Sequence, residues 1–84
     1  MNLSEIVGYI ATAFTVLAFI PQVWQVLKTR KTKDISLATF LFLLAGAMAW
    51  FTYGILLNSA PIIITNSIIG VFQSIIIGFK LKYG

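Results

Sequence analysis

The fold class that this sequence predicts is an all-α membrane protein, a bundle of three transmembrane helices in which residues 1–84 form one unit. Three observations carry that prediction. Hydrophobic residues make up 60% of the chain and charged residues 10%, against roughly 45–50% and ~25% in soluble domains. A soluble chain this short has too little interior to hide so much apolar surface. The apolar residues fall into three runs, each long enough at ~1.5 Å per residue to cross a ~30 Å hydrocarbon core. Every Lys and Arg lies at the edges of those runs, in two clusters.

The first run, Ile6 to Leu27, predicts a helix over about residues 4–28, with Ser4 as N-cap and Glu5 in the first turn, where the helix dipole favours negative charge. Pro21 and Gln22 interrupt it. Proline has no N–H for the carbonyl four residues back, that of Leu17. In lipid such a loosened turn persists only where neighbouring groups satisfy it, so the helix is expected to bend there against a partner. Gly8, Ala11, Thr15, Ala18 and Gln22 recur at helical spacing as a small or weakly polar stripe suited to close helix packing.

A short loop carrying Lys28, Arg30, Lys31 and Lys33 follows, and Asp34 or Ser36 caps a second helix over about residues 35–57. This helix has no charge, and its spacing groups Gly46, Trp50, Tyr53 and Gly54 on one face. Asn58 to Pro61 forms a tight turn, with Pro61 suited to the first turn of a third helix over about residues 61–80. That helix carries Asn66, Gly70 and Gln73 at i, i+4 and i+7, and ends among Lys80 and Lys82. With three spans, the Lys28–Lys33 loop and the C-terminus share one side. The positive-inside rule makes that side cytoplasmic and the N-terminus external.

Composition excludes several functions. Histidine and cysteine are both absent, which removes the commonest general base and metal ligand and all thiolate chemistry. Glu5 and Asp34, the only carboxylates, fall near opposite membrane faces and cannot act as a catalytic pair. No catalytic residue, metal or cofactor is therefore expected. The cations flank apolar runs in the pattern of membrane topology, so nucleic acid is not a partner. The N-terminal Met1 to Glu5 has no basic segment and does not read as a signal peptide. Without an acidic or basic side chain inside the spans, a passive carrier or pore fits better than an ion-driven pump.

Two polar features lie deep in the spans. Trp50 is some seven residues from the end of the second helix and Asn66 about five into the third, which gives them similar depth. An indole face covers apolar C–H surface, and an amide both donates and accepts, so together they suit a neutral polyhydroxylated ring. Packing and interhelical hydrogen bonding are the competing roles for both residues. Three helices enclose too little for a solute path, so transport requires oligomerisation, most simply a two-fold dimer.

The Pro21-Gln22 pair, the segment Thr32-Lys33-Asp34-Ile35-Ser36, the segment Trp50-Phe51-Thr52-Tyr53-Gly54 and Asn66 together resemble the bacterial SemiSWEET sugar transporters, half-sized members of the SWEET and PQ-loop group. The resemblance covers essentially the whole chain. It implies a parallel homodimer of triple-helix bundles in 1-3-2 packing, with a glucose- or sucrose-class sugar bound on the two-fold axis near mid-membrane. It further implies uniport by alternating access, with Trp50 stacking on the sugar and Asn66 bonding it. Pro21, with its signature partner Gln22, resembles the family hinge, and Tyr53 an outer-gate aromatic. Relatives often hold arginine and aspartate where this chain has Leu57 and Ser59, so the outer gate is expected to close through Tyr53, Leu57 and apolar neighbours. At the inner gate, Thr39 and Leu43 stand where relatives often hold methionine and phenylalanine. The alternatives are a PQ-loop transporter of another solute such as an amino acid, and a non-transporting membrane subunit.

Overall fold

Backbone polar groups need partners in hydrocarbon, and a helix supplies them from within itself. All three apolar runs form such helices. The computed structural model describes Met1–Gly84 as α1 (Leu3–Thr29), α2 (Leu37–Leu56) and α3 (Ala60–Tyr83), with no β-structure. Each helix is long and apolar enough to cross a membrane. α1 runs unbroken through Pro21.

The helix ends follow local chemistry. Asn2, rather than Ser4, caps α1 by accepting the Glu5 N–H at 2.8 Å. Ser36, rather than Asp34, caps α2: its Oγ accepts the Thr39 N–H at 3.2 Å, so the helix starts at Leu37. Arg30 ends α1 in the left-handed region at φ 56°, its N–H donating to the Val26 carbonyl at 2.8 Å. The α2–α3 turn is a Schellman motif around Asn58 at φ 53°. Ser59 N–H donates to the Gly54 carbonyl at 2.9 Å and Asn58 N–H to the Ile55 carbonyl at 3.1 Å. Pro61 sits in the first turn of α3, where its missing N–H leaves no intrahelical bond unmade. α3 continues to Tyr83, three residues beyond its sequence-predicted end, because Lys80 and Lys82 suit the last turn of a helix.

α3 packs against both α1 and α2, while the backbones of α1 and α2 stay apart. This is the 1-3-2 order. At the end away from the basic loop, the first turn of α3 presses against glycines on both neighbours. A Cβ on Gly8 would lie 2.9 Å from Pro61 Cβ, and one on Gly54 would lie 2.7 Å from Ile62 Cγ2. Gly54 therefore belongs to the α2–α3 contact and not to the exposed face of Trp50 and Tyr53. Gly46 has open space around it.

The contact stripe on α1 also differs from the small-residue stripe in the sequence. Ala11, Ala18 and Gln22 are exposed, whereas Thr12 and Phe19 are half-buried and Val23 and Val26 are buried. Thr12 and Thr65 join α1 to α3 through their hydroxyls, and Thr65 donates to the Pro61 carbonyl at 2.7 Å. Phe19 meets Phe72 with ring centroids 6.3 Å apart. Towards the basic end, Val23, Val26 and Ile76 form a core surrounded by Ile35, Phe40, Phe72, Ile75 and Phe79. Lys80 Nζ donates to the Thr32 carbonyl at 2.9 Å, tying the loop to α3.

Two outcomes test these contacts in detergent melts. Gly54→Val is expected to lower stability by about 1–3 kcal/mol through overpacking, while Gly46→Ala should leave the melting temperature unchanged or slightly raised. A Thr12→Val/Thr65→Val double-mutant cycle should give a coupling of about 0.6 kcal/mol. Simple additivity would show that the two hydroxyls do not share a bond.

Candidate functional site

A groove of about 540 Å³ runs between α2 and α3. Leu44, Ala47, Met48, Phe51 and Val71 supply its apolar walls, and Gly70 opens space between them. Its polar groups are Thr52, Asn66, Ser67 and Ser74. Each is satisfied by the carbonyl four residues back on its own helix. Thr52 donates to Met48 at 3.0 Å, Asn66 Nδ2 to Ile62 at 2.9 Å, Ser67 to Ile63 at 2.7 Å and Ser74 to Gly70 at 2.7 Å. Such back-bonding lets polar residues sit in lipid-depth helices. It also biases what they offer next. The hydroxyl donors are engaged while oxygen lone pairs remain, and Asn66 keeps Oδ1 and a second N–H. A groove of this kind welcomes ligands that bring their own O–H donors.

A Cβ on Gly54 of α2 would meet Ile62 and Ile63 of α3, and one on Gly70 of α3 would lie 4.0 Å from Leu44 Cδ1 of α2. In this antiparallel pair, therefore, the turn of α2 that carries Trp50 is level with Asn66. Trp50 itself does not enter the groove. With ~100° between successive helix residues, the turn that directs Ala47 and Phe51 to α3 directs Trp50 sideways. The indole is 56% exposed and lines a separate hollow with Ala49 and Tyr53. Tyr53 packs edge-on against it, with centroids 5.5 Å apart and planes at 83°. One protomer thus brings Trp50 and Asn66 to the same tier but not into the same hollow.

The remaining residues of interest lie towards the two ends. Gln22 and Thr39 share a cleft of about 660 Å³ between α1 and α2 at the basic end, together with Gln25, Asp34 and Ile76 of α3. Thr39 Oγ1 donates to Ser36 Oγ at 3.0 Å. Leu43, a turn further into α2, is exposed and lines neither this cleft nor the groove. Pro21 is exposed, immediately before the α1 segment that carries Val23 and Val26 into the core. At the other end, Leu57 borders a notch of about 460 Å³ with Asn2, Gly8, Ser59 and Pro61. Its N–H donates to the Tyr53 carbonyl at 3.0 Å, one turn away.

Several polar residues of these cavities do not stand out in the sequence. Thr52, Ser67, Ser74 and Gln25 lie among many hydroxyls and amides, and only helix rotation decides which of them face a cavity. The two carboxylates, Glu5 and Asp34, form no cluster suited to a metal ion.

Comparison with known proteins fits this architecture. A family model described as PQ loop repeat matches residues 3–63. The chain is 38% identical over 82 residues to the sugar transporter SemiSWEET of Leptospira biflexa, covering 98% of this chain and 96% of that protein. It is 39% identical over 82 residues to the sugar transporter SemiSWEET of Bradyrhizobium diazoefficiens, covering 98% and 95%. A crystal structure of a bacterial homologue of SWEET transporters superposes with a TM-score of 0.91 at 40% identity, covering 99% of this chain and all of that one. With its three spanning helices in 1-3-2 order, this multi-pass membrane protein belongs to the PQ-loop family and, within it, to the SemiSWEET group.

Proposed function

We propose that this chain is a facilitative sugar carrier that works as a parallel homodimer by alternating access. It is a transporter and not an enzyme. The observation that carries the proposal is the tier shared by Trp50 and Asn66. An aromatic face stands exposed at membrane depth, braced by Tyr53, level with an amide that keeps free donor and acceptor capacity. A mono- or disaccharide needs those two elements, stacking for its C–H face and paired donors and acceptors for its hydroxyls. Full-length relatives named as sugar transporters support the same substrate class.

A second copy completes the site. Only nine of the 84 residues are buried within one protomer, and the hollow beside Trp50 is walled by α2 alone. A two-fold partner supplies a second Trp50 and Asn66 across the axis and closes the path to lipid. Charge asymmetry orients the dimer with the Lys28–Lys33 loop and the C-terminus in the cytoplasm of a bacterial inner membrane. Charged side chains lie only in the first and last turns of the spanning helices, none at mid-membrane, so the sugar's own gradient drives transport.

Pro21 acts as the hinge. The α1 segment that follows it holds the basic-end core through Val23 and Val26. Flexing at Pro21 therefore opens or closes that end, with Gln22 beside the hinge, Thr39 sharing its cleft and Leu43 a turn further into α2. Tyr53 and Leu57 close the opposite end through apolar contact.

Counterflow of labelled glucose and sucrose in proteoliposomes tests the carrier. Trp50→Ala and Asn66→Ala are each expected to reduce exchange about tenfold or more, with the dimer retained on crosslinking and no need for a proton gradient. Undiminished exchange in both variants would overturn the site. Loss of the dimer in both would make them packing residues. Pro21→Ala, which restores the donor to the Leu17 carbonyl, should slow exchange while leaving the dimer intact and its melting temperature unchanged or raised. Wild-type rates in that variant would remove the hinge.

A further inference from the structure

Gln73 stands apart from every other polar residue of α3. Asn66, Ser67 and Ser74 each donate to a carbonyl on their own helix. Gln73 is 2% exposed, and its Oε1 has no hydrogen-bond partner. An unbonded amide oxygen away from water is destabilising, and lipid provides no relief. A leucine of nearly the same shape would fill the space without that cost.

Its position gives the amide a use. Gln73 lies on the same face of α3 as Asn66, two turns nearer the basic end, ~10 Å along the axis. The α2–α3 groove extends from Asn66 as far as Ser74. One turn beyond Gln73, Ile76 forms part of the cleft that contains Gln22 and Thr39. The orphaned amide therefore marks the stretch of α3 between the two cavities, beside the Val23–Val26–Ile76 core that keeps them separate.

We infer that Gln73 is a further substrate-contacting residue, resting on the sugar-carrier reading above. It bonds the hydroxyls of a neutral saccharide in the state open to the basic side, as the ligand passes between Asn66 and the cleft. A glutamine amide has both an acceptor and two donors, and a hydroxyl answers either. A carboxylate or an ammonium group answers only one. Two effects follow from the same side chain. Its unpaired amide destabilises the closed packing, and the uncovered amide meets substrate once that packing parts.

Gln73→Leu and the more flexible Gln73→Met test this in sealed proteoliposomes of known sidedness. Both variants are expected to melt at higher temperature than wild type. In zero-trans sugar uptake, the ratio of KM at the basic face to KM at the other face should rise about fivefold. A residue that acts only on packing shifts the open–closed balance and so changes that ratio by the same factor for every sugar. Loss of a hydroxyl contact instead spares the analogue lacking that hydroxyl, so an equal rise for glucose and each of its monodeoxy analogues overturns the contact. An unchanged ratio in a dimeric variant overturns the assignment, as does a lower melting temperature in both. A wild type that exchanges no sugar would remove the carrier reading and this role together. Exchange that persists in wild type and both variants with equal KM ratios would remove only the role of Gln73.

Discussion

The protomer depends on one close approach, at the first turn of α3. Pro61 and Ile62 there press on Gly8 of α1 and Gly54 of α2. Hydrophobic burial cannot drive helices together in lipid, whose tails are as apolar as the side chains. Association must come from backbone proximity and interhelical hydrogen bonds, and both meet at this turn. The two glycines remove the side chains that would hold the helices apart. Thr12 and Thr65 then bond across the gap, with Thr65 also satisfying the Pro61 carbonyl. With α3 wedged here, α1 and α2 have no need to touch.

The basic end is held differently. Branched and aromatic side chains pack around Val23, Val26 and Ile76, and one lysine, Lys80, pins the loop through the Thr32 carbonyl. No glycine is clamped there. A glycine-and-hydroxyl lock at one end and an apolar cluster at the other give the bundle unequal ends. Pro21 precedes the second of these, at a turn of α1 that lacks one backbone donor.

Two polar residues within the spans stand apart from those that bond their own helix. Thr12, Thr52, Thr65, Asn66, Ser67 and Ser74 bond their own helix four residues back, and those that line the groove do so at little cost with oxygen lone pairs left free. Trp50 leaves its indole exposed at membrane depth, and Gln73 is buried without a partner. Neither arrangement serves the stability of an isolated protomer. Departures from local consistency of this kind belong at functional sites, where stability is traded for binding.

Much was legible in the chain itself. Run lengths, the absence of charge within them and the clustering of cations specify three spanning helices, because the cost of polar groups in hydrocarbon leaves few alternatives. Pro21, Trp50 and Asn66 were visible for the same reason, each being an unusual residue at membrane depth. The rotation of each helix was not legible. Small residues suggested an α1 contact stripe through Ala11 and Ala18, whereas α3 meets Thr12, Phe19 and Val23 instead. Gly54 turned inward while Trp50, four residues away, turned out. One residue of helix is ~100° of rotation, and with lipid on every free side periodicity names several faces of similar polarity. Only the meeting of Gly8 and Gly54 with one turn of α3 decided which faces are packed, which line the groove and which amide is left unpaired.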